Sequence, residues 1–195
     1  MPRTAAETRD HVLEVAGRLF YANGIRATGV DLVAAEAGVA PTTLYRQFAS
    51  KDDLVGAYVE QEYQDFRATF DATVAAAGSD PRAQILAVVD LICAEIDSAD
   101  YRGCALMMTL AEFPDPDLPA HRNAVAAKAW VRQSLGELTA RLDVDHPDEL
   151  ADHLLLVTEG ARATAQALGR TGPARRTRHL CEAILDAALA SRGPA

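Results

Sequence analysis

The stretch Thr28–Lys51 constrains the fold more than any other part of the chain, because it encodes two short helices joined by a tight turn. Its first half carries apolar residues at helical spacing: Leu32, Val33 and Ala37. Gly38 is expected to end this helix, since glycine enters the left-handed backbone region without steric cost. Pro41 stands where the next helix would begin, a position at which its missing N–H has no partner to lose.

The second short helix has one apolar side and one polar side. Leu44 and Phe48 lie four residues apart and are expected to face inward. The remaining side chains are left for the outer face: Thr42, Thr43, Tyr45, Arg46 and Gln47. This pattern is typical of the recognition helix in a helix-turn-helix. Thr28 is expected to cap the first of the two short helices.

Several spaced residues around this stretch resemble the DNA-binding signature of the TetR family of bacterial repressors. They are Gly24, Thr28, Ala37-Gly38-Val39, Thr43-Leu44-Tyr45, Phe48, Lys51 and Leu54. Ala40 departs from the pattern, because the family often has a Ser or Thr cap there, and its loss should cost about 1 kcal/mol. The resemblance implies a helix-turn-helix DNA-binding domain at 1–50 and a helical effector-binding and dimerisation domain at 51–195.

The resemblance also implies which residues meet double-stranded operator DNA. Donors suited to phosphate oxygens fall at Thr28, Thr43, Tyr45 and Lys51. Positions that commonly meet base edges fall at Pro41, Thr42, Arg46 and Gln47. An arginine can donate two hydrogen bonds to guanine O6 and N7. Taken singly, Arg46 and Gln47 could instead be solvated, and Tyr45 could pack on Phe48.

The charge distribution argues against a protein that coats nucleic acid without regard to sequence. The chain carries a net charge of −9, and residues 1–55 hold six Lys or Arg against seven Asp or Glu, a net charge of −1. The few cations of the first domain, Arg26, Arg46 and Lys51 among them, must therefore lie on one face. Binding should depend on site geometry more than on bulk attraction.

Helical periodicity continues to the end of the chain, and no strand pattern appears. Residues 1–5 are expected to fray. Helices are predicted at about 6–23, 51–78, 81–100, 103–113, 118–142, 147–169 and 174–191, in addition to the two short ones. The predicted fold is all-α, with a three-helix N-terminal module and a larger helical C-terminal domain. Ser50 is expected to cap the long helix from Lys51, which links the two.

In the larger domain the resemblance implies a small-molecule pocket. Side chains expected to line it are Phe66, Phe70, Tyr101, Met107, Met108, Phe113, Trp130 and His153, with His121 as a further polar candidate. Ligand sites are mostly apolar and hold a few polar groups. The alternative is that these residues are ordinary core.

The last two predicted helices carry wide apolar faces, more than one chain can bury. The resemblance implies that they pair with a second copy to form a homodimer, and the alternative is that they simply pack within one chain. A two-fold axis would then present two recognition helices to major grooves about 34–36 Å apart.

Residues near a proline-rich loop raise the possibility of a metal site: Glu112, Asp115, Asp117 and His121. Intervening prolines favour a solvated loop instead, so no metal and no cofactor are expected. No nucleophile–base pair is evident, and no enzyme is expected. Three scattered cysteines suit a reducing cytosol, and no stretch reaches the ~20 apolar residues of a membrane span, so we expect a cytoplasmic protein.

The function predicted from these features is that of a transcriptional regulator. The resemblance implies a repressor that leaves a pseudo-palindromic operator when a small-molecule effector displaces the helix beginning at Lys51, and only the linking position of that helix is inferred from this sequence itself. The alternative is an α-helical small-molecule-binding or enzymatic protein whose helix-turn-helix no longer binds DNA.

Overall fold

The computed structural model describes residues 4–191, and every regular element in that range is an α-helix. The helices are α1 (Ala5–Asn23), α2 (Val30–Glu36), α3 (Pro41–Gln47), α4 (Lys51–Ala76), α5 (Pro81–Asp97), α6 (Ala105–Glu112), α7 (Pro119–Thr139), α8 (Pro147–Leu168) and α9 (Pro173–Ala190). The all-α class predicted from the sequence is confirmed. No helix of the described range is both long enough and apolar enough to cross a bilayer.

The start of α1 is better fixed than the sequence indicated. Thr4 accepts a hydrogen bond from the Glu7 N–H, and the Glu7 carboxylate accepts one from the Thr4 N–H at 2.7 Å. These reciprocal bonds satisfy two donors that a helix start leaves free. The expected fraying is therefore wrong for Thr4 and Ala5, and residues 1–3 lie outside the described part of the chain.

Side-chain caps were also predicted for α4 and α2, and only the first of these two predictions is correct. Ser50 Oγ accepts a hydrogen bond from the Asp53 N–H at 3.1 Å, which confirms Ser50 as the cap of α4. The cap of α2, in contrast, is Gly29, and no side chain bonds to the helix start. Thr28 instead turns its hydroxyl inward to the Gly24 carbonyl at 2.8 Å. The prediction that Thr28 caps α2 is wrong.

The chain forms two compact units. The first runs to Gln64 and includes Ala105–Ala127, and the second contains Asp65–Cys104 and the residues from Lys128 onward. Helices α4 and α7 each contribute residues to both units. The domain division predicted after residue 50 concerns function, and it stays a prediction.

The first unit has its own apolar core, which draws on distant parts of the chain. Its most deeply buried side chains include Val12, Val15, Phe20, Val33, Leu44, Leu54 and Val55, with Phe113 and Ala124 from the later segment. Leu32 is 44% exposed and lies outside this core.

Helix α7 approaches α4 closely within the first unit. A β-carbon added at Gly56 would lie 2.7 Å from Cβ of Pro119, closer than such atoms pack. The Asn123 side-chain amide donates to the Gly56 carbonyl at 3.0 Å. The absence of a side chain at Gly56 therefore permits this contact.

The second unit is built around α5, whose buried residues cover most of its circumference. Helices α8 and α9 pack beside it and complete the core. The most deeply buried side chains there include Ile85, Ile92, Ile96, Leu135, Leu154 and Leu185.

Candidate nucleic-acid interface

Two apolar anchors hold α3 in place. Leu44 is 1% exposed and Phe48 is 3% exposed, which confirms that both face inward. The guanidinium of Arg9 lies 4.8 Å from the centre of the Phe48 ring and covers it. Ala40 precedes the helix without a side-chain cap, as expected, and Pro41 occupies its first position.

The opposite face of α3 is open to solvent. Pro41, Thr42, Tyr45 and Arg46 are exposed, and Tyr45 retains half of its accessible surface. Thr43 and Gln47 are half-buried, and their four-residue spacing places both along the same edge of this face. The face thus presents hydroxyl, phenol, guanidinium and amide groups, the chemistry that meets phosphates and base edges.

Thr28 differs from the other residues predicted to contact phosphate. Its side chain is fully buried, and its hydroxyl donates to the Gly24 carbonyl at 2.8 Å. Its backbone N–H donates to the Ile25 carbonyl at 3.3 Å. Thr28 therefore stabilises the segment between α1 and α2, and phosphate contact by this residue stays a prediction.

Lys51 is also engaged within the protein. Its ammonium donates to the Arg26 carbonyl at 3.2 Å. Partial burial lowers the pKa of Lys51 from 10.5, and the nearby carboxylates of Glu112 and Asp52 partly oppose that change. A phosphate at this point would compete with a carbonyl for the same donor.

Glu112 ends α6 and binds the segment that leads into the helix-turn-helix. Its carboxylate accepts hydrogen bonds from the N–H groups of Ile25 at 2.9 Å and Arg26 at 2.6 Å. The Arg26 side chain donates back to the Glu112 carbonyl at 2.7 Å and lies over the Phe113 ring. Arg26, one of the cations expected on the DNA-facing surface, is exposed but is hydrogen-bonded to Glu112 within the first unit.

The other polar residues near the proline-rich loop have local partners. His121 Nδ1 lies 2.8 Å from the Phe113 carbonyl, and an Asp115 carboxylate oxygen accepts from the Asp117 N–H at 3.0 Å. No group of three or more metal-ligating side chains occurs within residues 4–191.

The residues predicted to line a ligand pocket fall into separate groups. Four aromatic side chains belong to the second unit: Phe66, Phe70, Tyr101 and Trp130. The Phe70 ring contacts Trp130 edge-on, with ring centres 5.1 Å apart, and lies 6.3 Å from Phe66. The structure therefore brings these three rings together.

The remaining predicted pocket residues lie elsewhere. Met107, Met108 and Phe113 belong to the first unit, where Met107 is half exposed and Phe113 is core. His153 lines a cavity of about 340 Å³ between the start of α8 and the end of α9, and none of the four aromatic residues lines that cavity. The eight residues thus do not form one group within one unit.

Arg162 was missed by sequence reasoning, although it lies beside the aromatic residues. Its guanidinium donates to Glu159 at 2.9 Å and to Glu95 at 2.7 Å, and it lies 5.9 Å from the Phe66 ring centre. Burial alone would lower the pKa of Arg162, but the carboxylates outweigh burial and raise it. The one indication in the sequence is that Arg162 falls between Ala161 and Ala165, two small apolar residues at the four-residue spacing of a helix face.

Comparison with known proteins agrees with this geometry. The family model described as "Bacterial regulatory proteins, tetR family" matches residues 12–58. SCO4454, a TetR-family transcriptional regulator from Streptomyces coelicolor, is 34% identical, with a TM-score of 0.89 over 96% of this chain and 92% of that one. A TetR-type regulator structure from Streptomyces avermitilis (sav143) is 31% identical, with a TM-score of 0.76 over 93% of this chain and 97% of that one.

A relative found by sequence comparison agrees with this assignment. The transcriptional repressor KstR2 of Mycolicibacterium smegmatis is 24% identical over 153 residues, which cover 74% of this chain and 73% of that protein. Family model, sequence relatives and whole-chain structural similarity agree. The chain belongs to the TetR family and is a DNA-binding transcriptional regulator, not an enzyme.

Proposed function

We propose that this protein is a repressor that binds a pseudo-palindromic operator as a homodimer and releases it when a small molecule binds the second unit. The observation that carries the proposal is the outer face of α3, where Tyr45 and Arg46 remain exposed while Leu44 and Phe48 are buried. The name of KstR2 as a repressor supports repression. Because chromosomal DNA is the proposed partner, the protein would act in the cytoplasm.

The exposed face of α3 supports the following proposed contacts with DNA. Arg46 would read a guanine through two hydrogen bonds, with Pro41, Thr42 and Gln47 against neighbouring bases. Thr43, Tyr45 and Lys51 would contact phosphates and fix the register of α3 on the duplex. Lys51 would exchange the Arg26 carbonyl for a phosphate oxygen when DNA arrives.

Exposed leucines on the last two helices support the proposed dimer. Leu156 on α8 is 70% exposed, Leu168 at the end of α8 is 84% exposed, and Leu180 on α9 is 50% exposed. Burying one leucine stabilises an interface by about 1.5–3 kcal/mol. A second copy that pairs through α8 and α9 would cover them, and its two-fold axis would match the symmetry of a palindromic site.

Two elements provide the coupling between effector and operator in this proposal. Helix α4 is continuous from Lys51 to Ala76 and contributes to both units. Helix α6 ends at Glu112, whose carboxylate holds Ile25 and Arg26 directly. An effector that favours a different position of either helix would weaken operator binding, and operator DNA would weaken effector binding by the same factor.

Fluorescence anisotropy with DNA that flanks the gene tests the proposal. Arg46→Ala should weaken operator binding by about 1–3 kcal/mol and relax the preference at one base pair. Lys51→Ala should weaken all sequences alike and reduce the slope of log affinity against log salt by about one. Arg141→Ala, an exposed arginine just after α7 in the second unit, is the matched control and should change neither quantity.

The alternative function predicts a different result. If no DNA is bound specifically and catalytic turnover of a small molecule is found, the helix-turn-helix has lost its role and the proposal is wrong.

A further inference from the structure

Among the second-unit residues that the structure describes, Arg162 is the most deeply buried charged side chain. Its side chain is 7% exposed, although it carries a full positive charge in the middle of α8. Two carboxylates hold the guanidinium from different helices, Glu95 of α5 and Glu159 of α8. Burying a charge is costly unless it is fully paired and hydrogen-bonded, so its retention here calls for a role.

One donor of this guanidinium has no partner. The terminal nitrogens bind the two glutamates, but Nε is buried and has no hydrogen-bond acceptor among residues 4–191. An unsatisfied buried donor costs about 1–3 kcal/mol, and native proteins rarely leave one without a reason. The Tyr101 hydroxyl does not fill this need, since it donates to the Arg162 backbone carbonyl at 3.0 Å.

The charges around Arg162 already balance. Lys128 binds Glu159 at 2.7 Å, so the two cations Arg162 and Lys128 face the two carboxylates of Glu95 and Glu159. A further anion would leave an uncompensated negative charge in a low-dielectric environment. An uncharged acceptor atom would satisfy Nε without that cost.

Aromatic side chains lie next to this cluster. The Phe66 ring centre is 5.9 Å from the Arg162 guanidinium, and Phe66 packs near Phe70, which contacts Trp130. Phe66, Tyr101 and Trp130 are each only half-buried, so part of each side chain remains accessible. Flat apolar molecules pack well against such rings.

We propose that Arg162 anchors the effector, which is an uncharged aromatic molecule with a carbonyl-type oxygen that accepts a hydrogen bond from Nε. This inference rests on the proposed function, because it specifies the ligand of the effector site in the second unit. The ring of the effector would lie beside Phe66, and its oxygen would accept the hydrogen bond from Arg162 Nε.

Three benzene derivatives test the chemistry, because they share a ring and differ in the attached group. Acetophenone carries a neutral carbonyl, ethylbenzene lacks an acceptor, and benzoate is an anion. Calorimetry should show acetophenone binding at least about tenfold more tightly than the other two, as expected for one hydrogen bond to a charged donor. Emission from Trp130, the single tryptophan of the chain, should change on binding.

Arg162→Lys is the decisive variant, since lysine retains the charge opposite Glu95 and Glu159 but lacks Nε. The preference for acetophenone over ethylbenzene should disappear, while ethylbenzene affinity stays the same. Arg132→Lys is the matched control, because Arg132 lies on α7 in the same unit and pairs with Asp152 instead of Glu95 or Glu159. The control should keep the preference.

Several results would overturn the inference. Equal affinity for acetophenone and ethylbenzene in the unmodified protein would mean that Nε is simply hydrated, and this comparison holds even if Arg162→Lys does not fold. Tightest binding of benzoate, or a preference that survives Arg162→Lys, would also exclude it. Operator binding is measured separately, so its failure would reject the regulatory function while leaving an Arg162-dependent ligand site in place.

Discussion

Glu112 and Arg26 are joined by reciprocal hydrogen bonds. The Glu112 carboxylate accepts the Arg26 N–H at 2.6 Å, and Arg26 Nε donates to the Glu112 carbonyl at 2.7 Å. The pair ties the last residue of α6 to the segment just before the helix-turn-helix. We expect a change at the end of α6 to alter the position of Arg26 and, through it, the segment that leads into α2.

Glu112→Gln should reduce the free energy of unfolding by about 1–3 kcal/mol, because the amide retains one acceptor oxygen and loses the charge that strengthens both bonds. Urea unfolding followed by circular dichroism measures the change. Glu14→Gln, on the exposed side of α1, is the control and should have little effect. Equal stability of the two variants would show that the Glu112 bonds contribute nothing net.

Thr28→Val should lower stability by about 1–2 kcal/mol, since valine keeps the shape of threonine and removes the hydroxyl that bonds to Gly24. Thr28→Ser retains the hydroxyl and should preserve the hydrogen bond while losing a methyl contact. Operator affinity of the folded Thr28→Val protein should be unchanged. A loss of affinity at unchanged stability would instead support the predicted phosphate contact.

Leu156→Asp should convert the proposed dimer to a monomer, because a carboxylate would be buried without a partner at the α8–α9 interface. Sedimentation velocity at several concentrations measures the assembly state. Leu32→Asp is the control, since Leu32 is 44% exposed on α2 in the first unit. A Leu156→Asp protein that remains dimeric would place the interface elsewhere.

Glu159 should make stability dependent on pH in the acid range. Burial alone would raise its pKa, but Lys128 and Arg162 outweigh burial and hold the pKa of Glu159 below 4.5. Its stabilising contribution is thus fully present above pH 4.5 and is lost as the pH falls through the lower value.

Glu159→Gln should accordingly destabilise the protein by about 2 kcal/mol at pH 7 and by progressively less as the pH falls below 4.5. Melting temperatures of both proteins between pH 7 and the acid limit of folding give the comparison. Glu137→Gln, an exposed glutamate of α7, should show no such convergence. A constant difference across the range would contradict the linkage.

Cys181 should resist thiol reagents in the folded protein. Its side chain is fully buried, and burial, reinforced by neighbouring Cys93, raises the pKa of Cys181 to about 12. Since the thiolate is the reactive form, alkylation by iodoacetamide at pH 8 should be at least about 100-fold slower than in denaturant. Mass spectrometry of the labelled peptides measures both rates, and comparable rates would contradict the burial.

Local signals in the sequence were enough to locate the helices. Pro147 and Gly169 bracket α8, which was predicted at about 147–169 and runs from Pro147 to Leu168. Pro41 and Ser50 marked helix starts for the same reason, because caps and prolines act within one turn. The exposed face of α3 followed from the four-residue spacing of Leu44 and Phe48.

Contacts between residues far apart in the sequence could not be predicted from such local signals. The Glu112 carboxylate and the Arg26 N–H come from residues 86 positions apart, so no local pattern indicates their bond. Thr28 was misjudged for another reason: threonine before a helix commonly caps it, but here the hydroxyl turns back to the carbonyls of Gly24 and Leu19. Arg162 was missed because one of its two neutralising carboxylates, Glu95, lies 67 positions away on α5.

The close contact at Gly56 bears on the order in which a growing chain acquires structure. Asn123 and the Gly56 carbonyl that it binds are separated by 67 positions, so the first unit stays incomplete during synthesis until the residues of α6 and early α7 have been made. Contacts between such distant residues slow folding, since a long loop must close first. A prematurely terminated N-terminal fragment would therefore lack the support of Pro119 and Glu112, which limits its capacity to occupy operators in competition with the full-length protein.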